Sequence, residues 1–253
     1  MTDNPLTDGE IARYMRHILL PEIGGPGQQA IRAARVLVIG AGGLGSPLLE
    51  YLAAAGFGEI VICDDDMVSL SNLQRQVIHE TARIGQAKTE SAAARIAALN
   101  PHVVVTERRE RLTADNVSEL FAGMTLALDG SDNISTRYLA AEAAETARVP
   151  LVTGAVGRFD GSLTVLKPWE TNHAGQLNPR YVDLFPDRPP EGMLPACAET
   201  GIIGALTGVI GTLMAMEAIK LATGAGEPLV GRLLLYDGLA ARFDEIRYKR
   251  RKS

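Results

Sequence analysis

Short, wholly apolar runs alternate along the chain with longer segments in which apolar residues recur every three or four positions. Runs such as 36–39 and 60–63 have the pattern of strands covered on both faces, and the longer segments have the pattern of amphipathic helices. Further strands are predicted at 103–106, 125–129, 151–153, 163–166 and 233–236, and helices at 46–55, 86–99, 116–121 and 136–148. This alternation predicts an α/β fold with a doubly wound, mostly parallel sheet.

The two ends and one central segment depart from this alternation. Residues 5–33 predict one or two N-terminal helices, interrupted by the Pro/Gly cluster at 21–27. From Arg158 onward the pattern is typical of a hairpin, which predicts an antiparallel extension of the sheet. Segment 169–197 has no periodicity and favours a functional loop or lid, whereas the basic tail 247–252 is expected to be solvated.

An apolar stretch at 201–219 carries Glu217 as its only charge and is close to the length of a membrane span. Its glycines recur at three- and four-residue spacing and predict a bare stripe on one helix face; they are Gly201, Gly204, Gly208 and Gly211. Because such a stripe allows another backbone to approach closely, we expect a buried core helix and no membrane association.

A glycine-rich turn from Gly40 to Gly45 connects the first predicted strand to the next helix. Glycines in this context allow a tight turn and close approach of phosphates to a helix N-terminus. Asp64 ends the second strand, where a carboxylate can bind ribose hydroxyls. The turn and Asp64 predict a nucleotide site, but they fit NAD, FAD and ATP equally well.

Cations near this turn distinguish between the nucleotides. Arg75 and Lys88 follow Asp64 in a polar segment, and such a concentration of positive charge suits a triphosphate better than an extended dinucleotide. Asp129 and Asp132 follow another strand at the same predicted sheet edge, so one of them is a candidate Mg²⁺ ligand. ATP with Mg²⁺ is therefore favoured over an NAD- or FAD-binding oxidoreductase.

Composition and charge further restrict the class of protein and the kinds of partner. With 46% hydrophobic and 22% charged residues, the chain has the composition of a globular protein, and its net charge of −5 disfavours nucleic acid and anionic membranes as partners. The acidic N-terminus lacks the pattern of a secretory signal, so we expect a cytoplasmic protein. The two cysteines, Cys63 and Cys197, are too few for a zinc site of four thiolates.

Four motifs resemble the MoeB/ThiF/HesA group, the bacterial relatives of ubiquitin-activating enzymes. They are the segment from Asp64 to Gln76 with its Ser-Asn-Leu-x-Arg-Gln element, Gly85-Gln-x-Lys88, Asp129-x-x-Asp132-Asn133, and the helix at 208–220. The resemblance covers about 11–247 and implies one adenylation domain over 1–253. Its parts are helices 5–33, a Rossmann-like ATP-binding half at 34–153, the lid at 169–197, and a C-terminal helix and strands at 201–247.

The resemblance also implies a reaction and a set of site residues. Such proteins use Mg·ATP to adenylylate the C-terminal Gly-Gly carboxylate of a ubiquitin-like sulfur carrier, releasing pyrophosphate, in molybdopterin or thiamin type sulfur transfer. Gly43 would lie against the phosphates and Asp64 would bind ribose. Asn72, Arg75 and Lys88 would contact the phosphates, and Asp132 would hold Mg²⁺. The wider ATP-binding set is Gly40, Gly42, Gly45, Asp66, Gln76 and Asn133.

Arg16 matches the arginine that reaches into the neighbouring subunit's site, which implies a homodimer. Many relatives bind a structural zinc through two Cys-x-x-Cys pairs, but this sequence has Arg180 to Pro186 in place of the first pair and lacks the second, so no zinc is expected. Cys197 matches a cysteine that forms adducts with the carrier in some members, and it is a possible thiol nucleophile. His17 and His79 flank matched motifs, where packing or capping is expected.

Three alternatives to a carrier adenylyltransferase stay open at this point. The first is the NAD- or FAD-binding oxidoreductase that the glycine turn permits. The second is a catalytically silent module that binds a ubiquitin-like protein, and the third is a related enzyme that dehydrates a modified tRNA base through adenylation.

Overall fold

The computed structural model describes residues 5–188 and 201–251, and these form one eight-stranded mixed sheet of order β3-β2-β1-β4-β5-β6-β7-β8. Strands β1 to β5 are parallel, and β6, β7 and β8 continue the sheet in antiparallel pairs. The strands are β1 Arg35–Ile39, β2 Glu59–Cys63, β3 Val104–Arg108, β4 Leu126–Asp129, β5 Leu151–Val156, β6 Asp160–Leu166, β7 Arg232–Asp237 and β8 Arg242–Arg247. The predicted α/β fold with an antiparallel extension is confirmed.

Helices cover both faces of the parallel part. They are α1 Asp8–Ile18, α2 Gly24–Ala33, α3 Gly45–Ala55, α4 Lys88–Leu99, α5 Val117–Phe121, α6 Ile134–Ala147, α7 Tyr181–Leu184 and α8 Gly204–Thr223. Alternate residues of β1 point to opposite cores: Val36 and Val38 pack in the cluster with α3, α4 and α8, and Leu37 and Ile39 pack with α5 and α6. Burial on both faces explains why the central strands are apolar throughout.

The apolar helix α8 packs against α2, α3 and the sheet. By length and composition it is the one helix of the described residues that is able to cross a membrane, but buried residues along it join the larger core cluster. A Cβ on Gly204 would lie 2.2 Å from the Gln74 carbonyl oxygen, and one on Gly211 would lie 2.5 Å from that of Leu44. The predicted close approach is therefore confirmed at these two glycines, whereas Gly208 faces open space.

The N-terminal helices pack on this core with a break that is shorter than predicted. Helix α2 already begins at Gly24, and Pro26 fits within its first turn, where its missing N–H has no helical partner to lose. His17 Nδ1 lies 3.0 Å from Gln28 Oε1, while Gln28 Nε2 donates to the Ala55 carbonyl. His17 therefore has the structural role expected of it.

The prediction that the basic tail 247–252 is solvated is partly wrong, because several of its residues form hydrogen bonds with the rest of the protein. Arg250 Nη1 donates to the carbonyls of Pro168 and Asn178, and the Tyr248 hydroxyl lies 2.7 Å from Thr164 Oγ1. The Arg251 backbone N–H donates to the buried carboxylate of Asp183 at 3.2 Å. These long-range pairs fasten the tail to the segment around α7.

The predicted irregular segment is likewise more ordered than expected in its first part. Between Thr171 and Leu177 it forms an isolated β-bridge, and α7 follows. Arg180 donates to Asp183 through its backbone N–H, its Nε and its Nη2. Whether the remainder acts as a lid stays a prediction, because 189–200 lie outside the described residues.

Candidate active site

A cleft that is open to solvent lies at the carboxyl ends of the central strands. Helix α3 follows β1 on one face of the sheet and α6 follows β4 on the other, so the cleft occupies the point where the winding direction changes. Ligands of open α/β sheets bind at this topological position. The cleft brings together most of the predicted site residues: Gly40, Gly42, Gly43, Asp64, Asp66, Arg75, Gln76, Lys88, Asp132 and Asn133.

The glycine turn forms one wall of the cleft, and at Gly40 and Gly45 its backbone leaves little room for a side chain. Gly40 has a φ of +91°, and a Cβ on Gly45 would lie 2.0 Å from the Gly40 carbonyl oxygen. The Ala41 N–H donates to Asp64 Oδ2 at 2.7 Å. His79 Nε2 lies 2.9 Å from the Ala41 carbonyl oxygen, so this buried imidazole supports the turn, in line with its expected structural role. Burial lowers the pKa of His79 and favours its neutral form.

Asp64 lies beside the turn, at the end of β2. Its carboxylate accepts the N–H groups of Ala41 and Asp66, the latter at 2.8 Å. Burial raises the pKa of Asp64, while Lys88 and the two N–H donors act in the opposite direction. Oxygen lone pairs that face the cleft can still accept ribose hydroxyls, because a carboxylate has more acceptor sites than the two N–H groups use.

Lys88 opens helix α4, and its side chain is only 5% exposed. Its Nζ pairs with Asp66 Oδ2 at 2.7 Å, whereas the Asp66 side chain is 67% exposed. A cation in the first turn adds to the positive helix N-terminus. Lys88 and the N-terminus of α4 therefore both present positive charge at the cleft, beside the carboxylate of Asp66.

Arg75, Gln76 and the start of α8 lie against the glycine turn: a Cβ on Gly42 would be 3.5 Å from Gln76 Nε2, and one on Gly43 would be 3.0 Å from Thr207 Cγ2. Arg75 Nη1 donates to the Ser71 carbonyl at 3.2 Å, and Thr207 Oγ1 donates to the Arg75 carbonyl at 3.3 Å. The Gln76 side-chain oxygen Oε1 is buried and has no hydrogen-bond partner among the described residues. A buried acceptor without a partner is costly, so this atom is a position where a ligand donor would be stabilising.

The structure separates the two candidate magnesium ligands. Asp129 is fully buried and accepts Ser131 N–H, Ser131 Oγ and Thr153 Oγ1, and its burial raises its pKa. The Asp129 carboxylate therefore makes its hydrogen bonds inside the protein and does not line the cleft. Asp132 is exposed at the cleft and its carboxylate has no partner in the described chain, so it is free to coordinate a cation. Asn133 Oδ1 accepts Thr136 N–H and caps α6.

Three predicted residues do not line the cleft. Arg16 is exposed on α1, and Gly45 is buried inside the turn. Asn72 lies half-buried in the short turn Leu70–Asn72, where its backbone carbonyl accepts the N–H groups of Arg75 and Gln76. Cys197 falls outside the described residues. Cys63 is buried, donates to the Glu110 carbonyl and has a pKa raised by burial to about 12, as expected of a structural thiol.

Sequence reasoning missed several residues that line the cleft. Thr207 and Ile202 come from the region of α8, Thr136 and Arg137 from the first turn of α6, and the segment 110–112 follows β3. The segment after β3 had a usable signal, because it leaves a parallel strand at the same sheet edge as Asp64. Arg137 had none, since a charged residue in an amphipathic helix is usually solvated.

The ThiF family matches residues 14–253 of this chain. A probable adenylyltransferase/sulfurtransferase MoeZ of Mycobacterium tuberculosis is 49% identical over 95% of this chain, which spans 61% of that protein's length. The sulfur carrier protein adenylyltransferase of Thermus thermophilus is 46% identical over 96% of this chain and 89% of its own length. The SAMP-activating enzyme E1 of Haloferax volcanii is 45% identical over 95% and 86%.

Solved structures share the fold at lower identity. A crystal structure of PaaA superposes with a TM-score of 0.80 at 21% identity, covering 98% of this chain and 77% of that one. A crystal structure of E. coli MccB with a modified MccA peptide also gives a TM-score of 0.80, at 18% identity and with coverage of 94% and 72%. The extent of the family match and the identity to full-length relatives lead to one conclusion: the chain belongs to the ThiF family.

Proposed function

We propose that this chain is an adenylyltransferase that activates the C-terminal Gly-Gly carboxylate of a ubiquitin-like sulfur carrier with ATP. The observation that carries the proposal is the pairing, in one cleft, of a glycine turn with Lys88 and Arg75. Relatives that this chain covers almost fully are named as a sulfur carrier protein adenylyltransferase and a SAMP-activating enzyme, which supports this choice of substrate.

The residues that line the cleft suit ATP in their chemistry. Gly42 and Gly43 leave backbone exposed where phosphates would lie, and Lys88 and Arg75 supply positive charge beside it. Asp64 is placed for ribose hydroxyls, and the unpartnered Oε1 of Gln76 can accept a donor from the ligand. Asp132 would hold Mg²⁺, which shields phosphate charge when bound.

Adenylylation needs positioning and charge neutralisation more than proton transfer. A carboxylate oxygen attacks the α-phosphorus, the bond from that phosphorus to the bridging oxygen breaks, and pyrophosphate leaves with the electron pair. No proton moves, so no general base is required. Lys88 and Arg75 would stabilise the negative charge that develops in this step, because preorganised cations in a cleft act more strongly than in water.

We also propose that the enzyme works as a homodimer in which Arg16 acts in the partner's site. The support is the position of Arg16 on α1, exposed and away from the chain's own cleft. Ile11, Met15 and Leu19 are exposed apolar residues four positions apart at the same helix, so they offer a ridge that a second copy can cover.

The zinc-free state and the role of Cys197 stay predictions. The contacts of Asp183 with Arg180 and Arg251 give the segment around α7 a means of attachment that needs no metal. Elemental analysis of the purified protein checks this expectation. Because adenylylation requires no thiol, Cys197→Ala is expected to retain pyrophosphate exchange. The cytoplasmic location also stays a prediction.

ATP–pyrophosphate exchange tests the proposed function. Purified chain is incubated with ATP, Mg²⁺ and each candidate carrier ending in Gly-Gly, and labelled pyrophosphate entering ATP is counted. Exchange that requires the carrier and disappears when its terminal glycine is removed supports the proposal. Carrier binding without exchange would identify a silent binding module, and bound flavin or nicotinamide turnover would identify an oxidoreductase.

A further inference from the structure

Arg137 is a cation of the cleft to which the proposed ATP site assigns no task. It lies in the first turn of α6, after the strand that ends in Asp129, and its side chain lines the cleft near Asp132 and Thr136. The proposed phosphate cations Lys88 and Arg75 come from the segments that follow β2, so Arg137 is supplied by a different part of the sheet edge.

The guanidinium of Arg137 is held in place but not saturated. Its Nη2 donates to the Ser131 carbonyl at 2.8 Å, and the Tyr181 hydroxyl interacts with the same group. Its Nε is buried and has no hydrogen-bond partner among the described residues. A buried donor without a hydrogen-bond partner is costly. An acceptor that reaches this side chain is therefore bound more favourably than one that pairs with a solvated arginine.

A counter-charge role for Arg137 does not account for this arrangement. The buried anion on which Arg137 acts is Asp129, whose pKa it lowers through charge alone, against the larger effect of burial. However, Asp129 already accepts three hydrogen bonds, from Ser131 N–H, Ser131 Oγ and Thr153 Oγ1, and none from Arg137. The Nε donor of Arg137 is therefore used neither by Asp129 nor by any other described residue, although the residue lines the cleft.

We propose that Arg137 binds the C-terminal carboxylate of the acceptor and holds it for attack on the α-phosphorus. This inference rests on the proposed adenylyltransferase function and adds a subsite to it. A carboxylate that approaches a triphosphate is repelled, and a planar guanidinium is the side chain that matches a carboxylate in shape and charge. The first turn of α6, which the Asn133 side chain caps, holds the Arg137 backbone in a fixed position for this contact.

Two forms of the acceptor and one substitution test the subsite. The acceptor is the Gly-Gly carrier that gives the strongest exchange with the wild-type chain, used with its free carboxylate and as the C-terminal carboxamide. Binding of both forms is measured in the presence of a non-hydrolysable ATP analogue, for wild type and Arg137→Gln. Exchange kinetics with the free-carboxylate carrier give its KM and kcat. Binding of the ATP analogue without carrier shows whether the nucleotide site is intact.

The wild type is expected to bind the carboxylate form roughly 10–100-fold more tightly than the carboxamide, as one charge-assisted hydrogen-bonded pair would provide. Arg137→Gln should remove this preference and raise the acceptor KM by a similar factor, with ATP-analogue binding unchanged. Arg137→Lys keeps the positive charge but loses the two parallel N–H donors of the guanidinium, so it should restore part of the preference for the carboxylate form. Arg148→Gln, at the exposed end of the same helix, should behave as wild type.

The outcomes separate this inference from the function on which it rests. If no carrier supports exchange in the wild type, the proposed function is overturned and the subsite with it. If the wild type exchanges but Arg137→Gln keeps the carboxylate preference, only the subsite is overturned. Loss of ATP-analogue binding in both Arg137→Gln and Arg137→Lys, with unchanged thermal unfolding, would assign Arg137 to the nucleotide instead.

Discussion

Lys88 is the residue whose surroundings make the clearest functional prediction. Its ammonium is buried and its ion-pair partner Asp66 is exposed, so removing the lysine charge leaves that carboxylate in solvent, while Asp64 keeps its two N–H donors. Lys88→Met, which keeps an apolar stem, should therefore fold normally and lose on the order of 10²–10³ in exchange rate. Parallel measurements of thermal unfolding and exchange check this, and undiminished exchange would overturn the site assignment.

The glycine turn distinguishes two glycines that look alike in the sequence. Gly45→Ala places a methyl group 2.0 Å from the Gly40 carbonyl oxygen, whereas a Cβ on Gly42 meets Gln76 Nε2 at an ordinary 3.5 Å. We expect Gly45→Ala to lower the free energy of unfolding by about 1–3 kcal/mol, the range for an overpacked interior. Gly42→Ala should keep its stability and weaken ATP binding. Denaturant unfolding and titration with ATP test both, and equal stability of the two variants would contradict the geometry.

The sequence predicts which residues lie near the carboxyl ends of the strands. It does not predict whether their side chains are buried or which groups they contact. Asp64 and Lys88 were identified because the spacing from the strands and the glycine turn places them at one sheet edge. Spacing alone left Asp129 and Asp132 open as magnesium ligands, and only the family resemblance favoured Asp132. The burial that distinguishes them depends on Thr153 from a neighbouring strand. Arg137 was missed because its place at the cleft and its unpartnered Nε depend on tertiary structure, which no local pattern encodes.

At the level of elements, the buried strands and long helices were predictable because each carries its own periodicity. The prediction was weakest where an element depends on distant partners. Strand β8 is exposed along its length and has no apolar pattern, so it was placed only within the broad C-terminal region. The docking of Arg250 and Arg251 depends on carbonyls and a carboxylate some seventy or eighty positions earlier in the chain.

The element around α7 carries a pH-dependent prediction. Burial raises the pKa of Asp183, but the hydrogen bonds from Arg180 and Arg251 outweigh it and leave the pKa below its ordinary value. This stabilisation is complete above the unfolded-state pKa of about 4 and is lost as the pH falls through the lower folded-state value. Asp183→Asn should cost roughly 1–3 kcal/mol at neutral pH.

The difference between wild type and Asp183→Asn should shrink as the pH is lowered below about 4. Denaturant unfolding at several pH values measures it, and Asp187→Asn, an exposed carboxylate in the same segment, serves as the control. A difference between wild type and Asp183→Asn that does not change with pH would show that the carboxylate charge is not what holds the tail.

For the whole molecule, the central question is whether one chain completes the site. If Arg16 acts in the partner's cleft, Arg16→Ala and Lys88→Met homodimers should each be impaired. Mixing the two variants should restore part of the exchange, because a heterodimer contains one site with both residues intact. Subunit exchange is verified by differential tagging. Verified heterodimers without any recovery would place Arg16 in its own chain's site.

The transfer of AMP to the carrier carboxylate tests the account most directly. Chain, Mg²⁺ and a Gly-Gly carrier are incubated with ATP labelled either in the α-phosphate or in the γ-phosphate, and the carrier is isolated under acidic conditions. The account predicts that the α label appears on the carrier, that the γ label does not, and that Lys88→Met slows the transfer on the order of 10²–10³-fold. A carrier that acquires the γ label, or no label while exchange proceeds, would contradict adenylylation of the carboxylate.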